Sequence, residues 1–174
     1  MERKQRETEL DPQDLQKIVN YWNPALARRN IKERFEKGAS LWLIKYKGRL
    51  AGFTWSLRGR TLQPYFFPLG PHDVHMFDFQ VFPQYRGEGM SPSLMTYIWR
   101  ILAGEGAVRL FGEVAEWNHA QLAFLRKTPF HRLGQARKFT IFDRTVVFWD
   151  ENETLKQKGE SKNLSLAAAA RGGS

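Results

Sequence analysis

Two glycines one residue apart, beside an arginine and ahead of a Ser-Pro pair, are the stretch of this chain best suited to chemistry: Gln84-Tyr85-Arg86-Gly87-Glu88-Gly89-Met90, then Ser91 and Pro92. Ser91 reads as a cap and Pro92 as the first position of a helix, while the apolar run from Val74 to Phe82 ahead of the turn has the length of a strand. A strand, a glycine turn and a helix in that order aim several backbone N–H groups and the positive end of a helix dipole at one spot, which suits a phosphate. Glycine serves there because the backbone must approach the anion closely and can take positive φ without steric cost. The dinucleotide fingerprint G-x-G-x-x-G needs a third glycine where this chain has Pro92, and the Walker loop G-x-x-x-x-G-K-S/T is absent. Taken alone, the turn reads equally well as a glycine-eased helix start.

Groups able to move a proton flank the turn in sequence. His75 and Asp78 lie on the strand before it, and Glu113 and Glu116 near the end of a later strand read over Val108 to Ala115. Alternation puts His75 with Phe77, Phe79 and Val81 on one side and Asp78 with Met76 and Gln80 on the other, so the two are not expected to face one substrate. Each also has a plain structural reading, a carboxylate bonded to backbone or to an arginine and a satisfied half-buried histidine. His72 and His75 would point to opposite faces of a strand and hold no common ion. The chain has no cysteine, which excludes disulfides, thiolate zinc sites and a cysteine nucleophile. No metal is expected.

The elements that must position these groups can be read in turn. Asp11-Pro12 opens a helix carrying Leu15, Ile18, Val19 and Trp22, and Asn23-Pro24 restarts a second with Leu26, Ile31 and Phe35, closed by Gly38. Leu41 to Tyr46 and Leu50 to Leu57 form a hairpin around Lys47-Gly48. From Arg58 to Asp73 glycines and prolines alternate with aromatics, including Tyr65-Phe66-Phe67, and predict a substrate-facing loop that leaves an apolar or sugar-ring substrate open. Leu94, Ile98, Ile101 and Leu102 make one face of the helix after the glycine turn, Asn118 caps another through about Lys127, and Lys138 to Trp149 supplies one or two strands. The order is α-α-β-β-β-α-β-α-β-β, a single α/β domain over residues 11–150. It lies between a polar segment, 1–10, and a tail, 151–174, that has no packing pattern and is expected to be disordered.

With 174 residues, 42% of them hydrophobic and 26% charged, the balance is globular and the length that of one domain. No apolar run approaches the roughly 20 residues that cross a bilayer and no leader follows Met1, so the expectation is a cytoplasmic protein with no membrane partner. The net charge of +9 admits a polyanion as partner. Its dispersal along the chain, without a recognition motif, does not favour nucleic acid.

The run Val81-Phe82-Pro83-Gln84-Tyr85-Arg86-Gly87-Glu88-Gly89-Met90 resembles the pyrophosphate-binding motif of the GNAT superfamily of N-acetyltransferases, V-x-P-x-x-R-G-x-G-I/M with the core Q/R-x-x-G-x-G/A. Every core position is met. The family's second motif, N-x-x-A-x-x-x-Y-x-K-x-G-F, falls on Asn118 to Phe130 without a gap, with Asn118, Lys127 and Phe130 in place. Gln121, Leu125 and Pro129 depart from its Ala, Tyr and Gly. The resemblance spans roughly Leu41 to Phe142. It implies a mixed, mostly antiparallel sheet splayed at its centre between the strands around Phe79-Gln80-Val81 and Phe111-Val114, with flanking helices. The usual first strand should precede the helix at Asp11, yet Glu2 to Glu9 is nearly all polar, so that strand reads as missing or degenerate. A sheet edge left bare in that way calls for a partner chain and predicts a homodimer.

The resemblance further implies acetyl-CoA as cosubstrate, its pantetheine lying along Phe79 and Val81 like an added strand and its pyrophosphate on the N–H groups of Arg86, Gly87, Glu88, Gly89 and Met90. Asn118 would hold the pantetheine arm, or simply cap its helix. An amine acceptor, an amino sugar or another small metabolite, would attack the thioester directly. The ammonium must first lose a proton, and one of Asp78, His75, Glu113 and Glu116 is expected to receive it. The acid that many relatives supply from the motif tyrosine is lost at Leu125, with Tyr65, Tyr85 and Tyr97 as unranked substitutes. The same loss suits a catalytically weak CoA-binding sensor of this fold, and a basic nucleic-acid-binding module is the alternative from another class.

Overall fold

The computed structural model describes residues 1–62, 69–141 and 144–151. Tyr65, Phe66, Phe67, Phe142 and the tail from Asn152 lie outside the described residues. The chain divides into two compact units, Met1–Leu122 and Ala123–Ser174. The first contains a five-stranded sheet of β1 (Glu2–Lys4), β2 (Ser40–Tyr46), β3 (Arg49–Arg58), β4 (Asp73–Val81) and β5 (Arg109–Phe111), paired in that order. All neighbours run antiparallel except β4 and β5, which are parallel. Helices α1 (Pro12–Tyr21), α2 (Pro24–Glu36) and α3 (Met90–Gly104) belong to the same unit, and α4 (His119–Leu125) begins in it and ends in the second.

Local chemistry sets these boundaries. The Asp11 carboxylate accepts from the N–H groups of Gln13 and Asp14, and the Asn23 side chain from that of Leu26, each followed by a proline at the first helical position. Lys47 and Gly48 have φ of 48° and 76° and join Tyr46 to Arg49, the two-residue turn with both central residues left-handed that twists as the strands do. Alternation along β2 then splits the core. Leu41 and Leu43 pack with Phe53 and Trp55 against Ile18, Val19, Ala27 and Ile31 of α1 and α2. Trp42 and Ile44 pack with Val74 and Met76 against Met90, Leu94, Ile98 and Leu102 of α3.

The first strand, which the polar N-terminus left without a signal, is present: Glu2, Arg3 and Lys4 pair with Leu43, Trp42 and Leu41. An edge strand needs only its backbone for pairing, and charged side chains guard it against a further strand. Here Arg3 lies over the Trp42 ring at 4.9 Å and Lys45 joins Glu2 at 3.3 Å. The bare β2 edge that motivated a homodimer therefore does not exist.

The expected alternation along β4 also fails, because one extra residue interrupts its pairing with β3. Phe53 pairs with Gln80 and Trp55 with Phe77, so Asp78 and Phe79 together oppose Thr54. This is a β-bulge, with Asp78 left-handed at φ 51° and the Thr54 hydroxyl donating to the Phe77 carbonyl at 3.1 Å. The extra residue reverses the faces beyond it. Phe79 joins Met76 on the α3 side, while Gln80 accepts from the Tyr21 hydroxyl of α1 at 3.2 Å and Asp78 reaches α2. His75 stacks on Phe77, which packs with the α1 and α2 core, so His75 and Asp78 share a face after all. Beside the bulge, a Cβ on Gly52 would lie 2.5 Å from the Gln80 carbonyl and 3.2 Å from Val81 Cα. Gly52→Ala is expected to destabilise the protein by about 3 kcal/mol through forced backbone displacement, read as a drop in thermal midpoint.

In the second unit, β6 (Gly134–Ile141) and β7 (Arg144–Glu151) form an antiparallel pair from Gly134↔Glu151 to Ile141↔Arg144. This resolves the one or two final strands read from sequence into two.

Candidate active site

The site begins where two parallel strands stop pairing. β4 and β5 are joined at Asp73↔Arg109, Val74↔Leu110 and His75↔Phe111, after which the ladder ends although β4 continues to Val81. The chain still runs beside β4 at Gly112, where an added Cβ would meet the Met76 carbonyl at 3.2 Å. The strand expected to run to Ala115 ends at Phe111 because its neighbour no longer offers a ladder.

The closed end of this V is pinned by a forked ion pair. Asp73 accepts from Arg109 Nε at 2.8 Å and Nη2 at 2.7 Å, and from the Gly70 N–H at 2.7 Å. Burial alone would raise the Asp73 carboxyl, but the Arg109 guanidinium and the Gly70 N–H outweigh it and hold the group below the usual carboxylate range. A depressed carboxyl stabilises the fold above its unfolded value and loses that contribution as pH falls through the folded one. Asp73→Asn is expected to cost about 2 kcal/mol at pH 7, less than for a fully buried pair because Arg109 is half exposed. The gap between wild type and variant should close as melts are taken below about pH 4.

The open end of the V is the end that carries the glycine turn. Val81 leads through Phe82 into a 3₁₀ turn at Pro83–Tyr85, then into Gly87 and Gly89 at φ 86° and 68°, and α3 starts at Met90. Gly89 occupies the N-cap position, and among the described residues no side chain caps the helix. Ser93 turns its hydroxyl to the Gly89 carbonyl at 3.0 Å. The first-turn N–H groups of a helix have no intrahelical acceptor, so an anion is the natural complement here. Arg86 donates from Nε to the Val81 carbonyl at 3.1 Å, which folds its side chain against the end of β4 and braces the turn. Met90 is buried under the sheet and anchors the start of α3, while Glu88 is exposed.

Of the four expected proton acceptors the structure brings two together. His75 Nε2 lies 2.7 Å from Glu113 Oε2, joining β4 to the segment after β5 at the point where the ladder ends. The His75 side chain is 5% exposed and that of Glu113 52%, so the imidazole is the buried anchor and the carboxylate the outward group. Asp78 instead pairs with Arg34 of α2. Glu116 is exposed in the turn before α4. Asn118 caps α4, its side-chain oxygen accepting from the Gln121 N–H at 3.1 Å and its carbonyl from the Leu122 N–H. Leu125 is the last residue of α4, which stops short of Lys127.

Arg34 and Thr54 were not singled out from the sequence, because one sits in a run of charged helix residues and the other in the middle of a strand. Among the described residues no group of three His, Asp or Glu is placed to hold a metal ion, and no helix is long and apolar enough to cross a membrane. A groove of about 790 Å³ opens between α1 and the residues after β4, lined by Gln13, Lys17, Tyr21, Phe82 and Gln84 among others.

Sheet, V and turn together define a known class. The sequence model of the Acetyltransferase (GNAT) family matches residues 5–130, and the chain belongs to that family. It is thereby an acyltransferase of a family that uses acetyl-CoA. Solved structures with this fold include an acetyltransferase from Trypanosoma brucei, 19% identical, covering 76% of this chain and 96% of its own with a TM-score of 0.55. Another is the ribosomal-protein-alanine N-acetyltransferase from Brucella melitensis, 13% identical, covering 87% and 100% with a TM-score of 0.57. A third is an aminoglycoside N-acetyltransferase in complex with CoA, 14% identical, covering 82% and 96% with a TM-score of 0.51. No match was found among curated protein sequences.

Proposed function

We propose that this protein transfers the acetyl group of acetyl-CoA to a primary amine by direct attack within a ternary complex. The observation that carries this reading is that the strands part toward the same end of β4 at which the glycine turn and the uncapped start of α3 lie. One run of chain thus offers a strand edge beyond the β5 ladder for an amide-bearing arm and N–H groups for a pyrophosphate. The backbone from Phe79 to Val81 takes the arm, Arg86 to Met90 take the pyrophosphate, and Asn118 meets the arm with the amide nitrogen that helix capping leaves over.

Acetyl-CoA supplies a thioester carbonyl, at which a C–N bond forms as the C–S bond breaks and CoA departs as the thiolate. Glu113 receives the ammonium's proton, being the outward member of the dyad. At 2.7 Å one proton lies between His75 and Glu113, so the buried imidazole donates Nε2–H and fixes the carboxylate's direction. Leu125 has no proton to give where relatives carry tyrosine, so the thiolate takes its proton from water. The acceptor is a small amine such as an amino sugar, and the site of action is the cytoplasm. Release of free CoA thiol from acetyl-CoA, screened over amino sugars, polyamines and peptide N-termini, tests the reading. Amine-dependent release supports it. Tight acetyl-CoA binding with no release over the whole panel would instead favour the sensor reading that Leu125 suggests.

A further inference from the structure

Asp78 is held by a residue that the acetyl-transfer reading does not use. Besides Lys47 in its hairpin turn, Asp78 has the one positive φ among the described non-glycine residues, and an aspartate in the middle of a strand takes that conformation only when its surroundings impose it. Arg34 reaches across from α2, its Nη2 2.5 Å from Asp78 Oδ2, and its guanidinium lies 5.2 Å from the Trp55 ring and 5.3 Å from that of Phe77. The Arg34 side chain is 12% exposed and that of Asp78 34%. Arg34 Nη1 is buried with no hydrogen-bond partner among the described residues. A buried guanidinium with one arm unsatisfied is costly, and among the described residues Asp78 supplies the carboxylate paired with it. The pair therefore ties α2 to the bulge, at the stretch of β4 from which β5 has already withdrawn.

We propose that Arg34 is a positioning residue for the acyl group. Through Asp78 it holds the bulge in its left-handed form, and the bulge directs the backbone of Asp78 and Phe79, which the extra residue takes out of the β3 ladder, toward the thioester end of acetyl-CoA. The inference rests on the acetyl-CoA site proposed above. It separates two ligands that share every contact except the acetyl group: both lay the arm along Phe79 to Val81 and the pyrophosphate on the glycine turn, and the bulge residue Asp78 bears on the acetyl group that CoA lacks.

Calorimetric titration with acetyl-CoA and with CoA tests it on the full chain. Arg34→Met fills the space beside Trp55 and Phe77 without a charge, and Asp78→Asn keeps the shape of the partner. Each is expected to weaken acetyl-CoA about tenfold while CoA changes less than twofold, and the double variant is expected to be no weaker than either alone because both remove one tie. Should Arg34→Met fail to fold, Asp78→Asn still carries the comparison. Equal weakening of both ligands would assign Arg34 to general stability and overturn the inference, as would no change in either. Wild-type protein that binds neither ligand would refute the acetyl-CoA site itself, a failure distinct from unaltered selectivity in a protein that binds both.

Discussion

Glu113→Gln is expected to lower turnover about 100-fold with the amine found in the acceptor screen, the size of effect that a positioned base contributes. Glutamine keeps the shape and can still accept from His75 Nε2, so the loss isolates proton acceptance from packing. Affinity for acetyl-CoA should change less than twofold, since Glu113 lies in the segment after β5 and not in the glycine turn. His75→Gln acts through Glu113: its amide restores a donor at nearly the same place, so turnover should fall about tenfold with acetyl-CoA binding again unchanged. The pH profile separates a base from a brace. In the Glu113 variant the acid-side limb of kcat/KM should be lost, whereas in His75→Gln it should shift and persist. If neither variant lowers turnover tenfold or alters the profile, the ammonium loses its proton through water or through the substrate itself.

The glycine turn carries the second large effect. Gly89→Ala is expected to raise KM for acetyl-CoA about 30-fold, with kcat altered less than threefold, because it removes binding made equally in ground and transition states. The cause is conformational. No atom of the described residues lies within 4 Å of a Cβ built on Gly89, yet its φ of 68° costs an L-residue about 1–2 kcal/mol, and relief of that strain turns the first N–H groups of α3 away from the anion. Gly106 provides the matched control. It too has positive φ, 81°, with open space around a built Cβ, but it lies beyond the C-terminal end of α3. Gly106→Ala should lower stability by a similar amount and leave KM where it was.

Much of the scaffold was legible because it is written in local chemistry. Asp11-Pro12, Asn23-Pro24 and Lys47-Gly48 each act within four residues of themselves, and the structure uses them as their types predict. The glycine turn was legible for the same reason, and its family resemblance brought the splayed sheet with it. What escaped depends on partners far apart in sequence. β1 carries no apolar alternation because it needs only its backbone to pair with β2, and its charged side chains are what an edge strand favours. The bulge has no glycine to announce it, so strict alternation separated His75 from Asp78 when one extra residue in fact turns both to the same face. Four proton acceptors could be named but not ranked, because the contact that distinguishes Glu113 joins residues 38 apart. Arg34, 44 positions before Asp78 in a helix rich in charge, offered no signal of its own.

Everything proposed for catalysis depends on acetyl-CoA being held by the glycine turn, beyond the end of the β4 and β5 ladder. Calorimetric titration of the purified protein with acetyl-CoA, beside a variant carrying Arg86→Ala, Gly87→Ala and Gly89→Ala together and shown to be folded by its thermal transition, measures this directly. Binding in the micromolar range is expected for the wild type and its loss in the variant, a difference of at least about 100-fold. Binding of equal strength in both proteins, or none in the wild type at millimolar ligand, would contradict it.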